Sequence, residues 1–152
     1  FKNTLIIMTS NLGSQYAFDS DKEERNRRYM DEVHKYFKPE FVNRIDEIIV
    51  FNALNNEVLI KIADKFLHEL AVRLAKKDIA LEVTEVAKAK IVEMGVDPVF
   101  GARPMKRHIQ RTIETLIARK MIERGNEDNC TMKVDVENGQ YVLHVIENPE
   151  VI

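Results

Sequence analysis

MKVDVENGQYVLHV, residues 132–145, decides the fold class of the C-terminal part of the chain. Asn138-Gly139 is the strongest short hairpin signal, because both residues accept the positive φ angles of a tight two-residue turn. A turn placed there pairs Val136 with Tyr141, Val134 with Leu143 and Met132 with Val145. All three pairs are apolar and share one face, so the register is specified: a slip of one residue would turn the whole apolar set into water.

Working back from the hairpin, the spacing predicts a long helix from about Arg103 to Arg124. It carries Met105, Ile109, Ile113, Leu116 and Ile117 inward and is stopped by Gly125. A loop containing Asp97-Pro98 precedes it. Thr84 is the N-cap candidate for a helix over Glu85–Met94. Ile79, Leu81 and Val83 alternate, which predicts a strand over Asp78–Val83. Leu59, Ile62, Ala63, Phe66, Leu67, Leu70 and Leu74 recur at helical spacing and give the clearest helix of the chain. From about residue 55 onward the expectation is therefore a compact α+β domain, with helices packed on a small sheet.

The first 53 residues read differently. Leu5-Ile6-Ile7-Met8 within Thr4–Thr9, and Ile48-Ile49-Val50-Phe51, are continuous apolar runs. They predict two buried strands of a parallel α/β sheet, since neither alternates like a half-exposed strand. A helix over about Glu23–Phe37, ended or restarted at Pro39, separates them. This part reads as the back half of an α/β domain, divided from the rest at Asn52–Asn56. The chain opens at Phe1 almost directly into an apolar run, which reads as a segment cut from a longer protein.

Composition narrows the function. The 152 residues carry Lys+Arg 23 against Asp+Glu 25, a net charge of −2. No global field therefore draws the chain to nucleic acid or anionic lipid. Cys130 stands alone, which excludes an internal disulfide and a Cys-rich zinc site, and suits a reducing, cytosol-like compartment. No apolar run approaches the length of a membrane span. A phosphate-binding loop needs Lys after a glycine, but the five glycines precede Ser14, Val96, Ala102, Asn126 and Gln140. Asp31-Glu32 and Asp46-Glu47 do not end apolar runs, so no Mg²⁺-holding carboxylate pair stands out. His68-Glu69 begins a metalloprotease-like pattern that fails at Val72.

Three local features remain. Thr9-Ser10-Asn11 ends the first expected strand, where ligands of open α/β sheets bind; the bland reading is a strand-to-loop cap. Arg44, in PEFVNRID, suits an anion across an interface with its planar fork; the bland reading is an ion pair with Asp46 or Glu47. Gly101-Ala102-Arg103-Pro104 starts a helix with a cation at its partially positive end. That conflict is relieved if an anion bridges Arg103 and free backbone N–H groups, and the bland reading is an Arg pointing into water. Lys106, Arg107 and Arg111 extend a basic face from there.

Taken in order, FKNTLIIMTSNLGS, FKPEFVNRIDEIIVF and GVDPVFGARPMKRHIQRTIE resemble the C-terminal half of the second ATPase module of Clp-type AAA+ unfoldases, over nearly the whole chain. The resemblance implies that residues 1–53 are the C-terminal part of a large, phosphate-loop-type ATPase domain and residues 54–152 its small C-terminal domain. It implies Asn11 as the sensor-1 polar residue and Arg44 as an arginine finger acting on the neighbouring subunit. Arg103, with Gly101 and Ala102, would be the sensor-2 nucleotide contact, and no protein-held metal is implied. It further implies ATP or ADP with Mg²⁺ in the parent protein, identical subunits in a hexameric ring, unfolded or aggregated protein clients, and a cytoplasmic setting, with neither nucleic acid nor membrane as partner. Leu12–Met30 lacks the Ile/Leu/Val-Gly-Phe or Gly-Leu tripeptide of members that dock on a protease. That favours a ClpB-like disaggregase working with a DnaK-type chaperone. A regulatory subunit of a Clp protease, or an oligomerisation and interaction module only, are the alternatives. Without its phosphate-binding loop, the chain alone is expected to be inactive as an ATPase.

Overall fold

The structure, a computed structural model, describes residues 1–97, 100–125 and 129–148. They fall into two compact units, Phe1–Ala53 and a second that starts at Leu54.

In the first unit, helix α1 spans Lys22–Tyr36. Asp21 caps it, accepting from the N–H groups of Glu23 and Glu24 at 2.9 and 3.3 Å. Arg28 ties the start of the helix together by pairing with Glu24 at 2.7 Å and Asp19 at 2.9 Å. Gly13 packs under α1: a Cβ there would lie 2.5 Å from a ring carbon of Tyr29. The short helix α2, Pro39–Val42, starts on Pro39, which restarts the chain as a helix. Phe37 and Phe41 stack across the break with ring centroids 5.0 Å apart.

The two expected strands do not form. Thr4–Thr9 and Ile48–Phe51 have no regular structure, and Leu5 is 84% and Phe51 86% exposed. The reason is that a strand gains its stability from a neighbour's backbone and cross-strand side chains. Neither segment pairs with the other or with any described residue. Val42 is the one buried hydrophobic residue of this unit.

The second unit is α+β as expected. Helix α3 is Asn56–Ala75, capped by Asn55, whose side chain accepts from Val58 N–H at 2.9 Å. Strand β1 is Ile79–Val83 and helix α4 is Glu85–Gly95. Helix α5 is Arg103–Ile109; a π turn over Gln110–Glu114 joins it to helix α6, Thr115–Glu123. Strands β2, Cys130–Glu137, and β3, Gln140–Glu147, form the hairpin. Their register pairs Met132 with Val145, Val134 with Leu143 and Val136 with Tyr141, as read from the sequence. Asn138 and Gly139 have φ of 50° and 74°, which is the conformation that selects Asn-Gly.

The sheet order is β1-β2-β3, with β1 parallel to β2. A parallel pair needs a long crossover, and α4 through α6 provide it. Thr84 joins the layers at the crossover's start. Its hydroxyl caps α4 at Ala87 N–H, 3.2 Å away, and donates to Asp135 of β2 at 2.8 Å. Together with the Val136 N–H, which contributes most, this hydroxyl holds the Asp135 carboxyl below its ordinary range. The core lies between sheet and helices: Leu67 and Leu70 of α3, Ile91 of α4, and Cys130, Met132 and Val134 of β2 are all buried.

The long helix is not uniform. Met105, Ile109, Ile113 and Ile117 repeat at every fourth residue and are all buried. An unbroken α-helix would rotate such a stripe by about 40° per step, about 120° over three steps. The π turn absorbs the drift by taking up about one extra residue. Threonine hydroxyls serve the carbonyls there: Thr112 donates to His108 O at 2.7 Å and Thr115 to Gln110 O at 3.2 Å. Leu116, expected inward, is only half-buried as a result of this re-phasing.

Candidate functional site

The turn before α5 is built from both sides. Gly95, the last residue of α4, is buried; a Cβ there would lie 2.9 Å from Met105 Cα, so α4 and α5 meet backbone to backbone. Past Val96, Asp97 and Gly101 exchange backbone hydrogen bonds of 2.9 and 2.7 Å. The Asp97 carboxylate accepts from Phe100 N–H at 2.9 Å. Gly101 takes φ +62°, a conformation that disfavours any side chain. Of the expected Asp97-Pro98 loop, Pro98 lies outside the described residues. Gly101, Ala102 and Arg103 are thus brought together in one short turn, anchored by fully buried Met105.

Arg103 is exposed, and its guanidinium forms no hydrogen bond or ion pair among the described residues. The first N–H groups of the helix are not free as expected. Arg103 N–H donates to Phe100 O at 3.3 Å, Pro104 has none, and Met105 N–H donates to Ala102 O at 3.1 Å. The turn therefore leaves the guanidinium free, but none of the N–H groups of residues 103 to 105.

Asn11 and Arg44 lie in the other unit, both exposed, with no hydrogen bond between their side chains. Arg44 follows α2, and its N–H donates to Phe41 O at 3.1 Å. The ion pair with Asp46 or Glu47 does not form, and its guanidinium has no partner among the described residues. No group of three or more His, Cys, Asp or Glu able to hold a metal occurs among the described residues.

A second feature escaped the sequence reading. His108 and Tyr141 share a hydrogen bond of 2.8 Å between the end of α5 and β3. Lys90 of α4 lies 5.4 Å from the Tyr141 ring centre. Burial pushes the Tyr141 phenol up to about 12, helped by the negative charge of Glu93. Burial, and then the Lys90 charge, hold the His108 imidazole below its ordinary value. The only nearby sequence signal was for the π turn: the spacing of four between Met105, Ile109, Ile113 and Ile117 is wider than one turn of an unbroken α-helix.

This histidine makes stability depend on pH. Its folded pKa is depressed, so the unfolded chain binds the proton more readily. The stabilisation is complete above the unfolded pKa, about 6.5, and is lost as pH falls through the lower folded value. The Tm of the second unit should therefore drop between pH 7.5 and pH 5. His108→Gln should reduce that drop, measured against the wild-type chain in the same buffers; an unchanged slope would remove His108 as its source.

Comparison with known proteins matches both units. The family described as the C-terminal, D2-small domain of ClpB protein matches residues 54–134. The AAA domain family of the Cdc48 subfamily matches residues 1–48. The chain is 47% identical over 151 residues to the chaperone protein ClpB of Bacillus cereus (strain ATCC 10987), covering 95% of this chain and 17% of that protein. It is 46% identical over 154 residues to ClpB of Aquifex aeolicus, covering 94% and 15%. To ClpB 2 of Nostoc it is 46% identical over 143 residues, covering 91% and 16%. An AAA-type segment over residues 1–48 leading into a small α+β domain of the ClpB D2 type sets the class as AAA+. Within that class the chain belongs to the ClpB family. It spans less than a fifth of the length of the curated relatives it matches.

Proposed function

We propose that the chain supplies the nucleotide-sensing and subunit-contact half of the second ATPase module of a ClpB-type chaperone, a hexameric, ATP-dependent protein remodeller. Residues 1–53 are then the end of the large ATPase domain and residues 54–152 the small domain. The observation that carries the reading is Arg103: an exposed guanidinium without a partner among the described residues, beside the Asp97–Gly101 backbone bridge and next to buried Met105. No described residue satisfies its charge, and a phosphate oxygen is its natural acceptor.

In this reading Arg103, presented by Gly101 and Ala102, contacts the nucleotide of its own subunit and links it to the position of the small domain. Asn11 orients the attacking water, and Arg44 reaches the neighbour's nucleotide. The nucleotide, ATP or ADP with Mg²⁺, supplies the phosphoryl group whose transfer drives the ring. The residues described fit it as a guanidinium contact; they assemble no carboxylate set for the metal. Clients are unfolded or aggregated proteins, a DnaK-type chaperone is the co-worker, and the setting is cytoplasmic.

Two measurements test this. The 152-residue chain alone should release no phosphate from ATP above background, because its sequence contains neither the phosphate-gripping Lys motif nor a Mg²⁺-holding carboxylate pair. In the assembled ring, Arg103→Ala should weaken nucleotide binding by roughly 10- to 100-fold, the range for loss of one charge-assisted hydrogen bond. Titration with a fluorescent nucleotide reads this directly. An unchanged affinity would remove Arg103 from the nucleotide site.

A further inference from the structure

Some cations of this chain are paired with carboxylates. Arg28, Arg73, Lys88 and Lys120 each hold an acidic side chain. Arg111 and Arg119 do not: both are exposed, and neither guanidinium forms an ion pair or hydrogen bond among the described residues. They border one groove of about 440 Å³, between the end of α4, the π turn and the turn of the hairpin. Met94, Leu116 and Tyr141 help to line it, and no described carboxylate does.

The π turn is what puts the two arginines on one side. Eight residues along an unbroken α-helix leave two side chains about 80° apart; the extra residue of a π turn reduces that to about 20°. The same turn leaves Leu116 half-exposed to the groove rather than buried. A single backbone irregularity thus creates an apolar trough flanked by two free guanidinium groups. Lys90 adds a third positive charge, held in place by the Gly139 carbonyl at the hairpin turn.

We propose that this groove docks an acidic, extended peptide segment of a protein partner, with Arg111 and Arg119 taking its carboxylates and Leu116 and Met94 its apolar side chains. Charge complementarity and the mixed lining favour a peptide over nucleic acid. A single strand of nucleic acid needs free aromatic faces for its bases. Here the Tyr141 ring is already flanked by Lys90 at 5.4 Å and by the His108 ring at 5.7 Å. The carboxylate fork, by contrast, matches guanidinium geometry directly. The proposal does not depend on the nucleotide reading, since neither arginine belongs to the Arg103 turn.

The test is fluorescence anisotropy with the whole 152-residue chain and a labelled dodecapeptide that alternates glutamate with leucine and serine. Binding is expected at low salt and should weaken as salt screens the rim charges. The double variant Arg111→Gln/Arg119→Gln should lose at least about tenfold in affinity. Arg107→Gln, which removes a charge from the same helix outside the groove, should change it by less than about threefold. Melting curves of both variants, which keep surface polarity, show that the fold is retained. The proposal is overturned if no binding is seen up to about 1 mM, the weak end of measurable affinity. It is equally overturned if Arg107→Gln costs as much as the groove variant, or if a single-stranded RNA of equal charge binds more tightly and loses affinity with the same two residues.

Discussion

Arg44→Ala in the assembled ring is expected to lower ATP turnover by about a thousandfold or more, while nucleotide affinity stays within about threefold of wild type. The expectation rests on what Arg44 lacks. It stands exposed just past α2, and neither Asp46 nor Glu47 neutralises it. An arginine used only inside its own fold would have taken one of those carboxylates, and its loss would register as a modest change in stability. An arginine that meets a neighbour's phosphates acts on charge that develops only in the transition state, so its loss appears in turnover and not in binding. Mixed rings of wild-type and variant subunits separate the cases. Inactivation of wild-type sites beside variant subunits supports action in trans. If the variants silence only their own sites, or if turnover is unchanged, the assignment of Arg44 fails.

Gly95→Val is expected to destabilise the second unit by about 3 kcal/mol, with Gly95→Ala costing about half as much. Even the first added carbon would lie 2.9 Å from Met105 Cα and 2.9 Å from its Cγ. The Cα belongs to helix backbone and cannot rotate away, so α4 and α5 must separate. Helix propensity works in the opposite direction, because Ala is favoured over Gly in a helix by roughly 1 kcal/mol. The contact outweighs it: Met105 is fully buried and has no free volume to move into. For a domain of this size a loss of 3 kcal/mol corresponds to a fall in Tm of roughly 12 to 24 °C. Thermal melts of the two variants check the prediction, and an unchanged Tm for Gly95→Val would show that the crossing is looser than described. In the ring, both substitutions should also weaken nucleotide binding, because α5 carries Arg103.

The sequence by itself determined what depends on neighbours in the chain. Asn138-Gly139 and the three apolar pairs around it specified the hairpin and its register, because turn conformation and a period of two are local properties. The stripe from Leu59 to Leu74 specified α3, and Thr84 specified the start of α4 through a side chain that caps its own helix. The motifs around Asn11, Arg44 and Arg103 were also legible as residues, though not as a geometry. The tertiary structure decided the rest. Leu5–Met8 and Ile48–Phe51 have strand-like composition, yet they stay irregular because a strand exists only where another backbone completes its hydrogen bonds. The parallel pairing of β1 with β2 joins residues about fifty positions apart, and no local signal encodes that meeting. The π turn, and with it the exposure of Leu116 and the alignment of Arg111 with Arg119, arises from a conflict. Four residues spaced by four must all face one core, and a helix of 3.6 residues per turn satisfies that only by taking in one residue more.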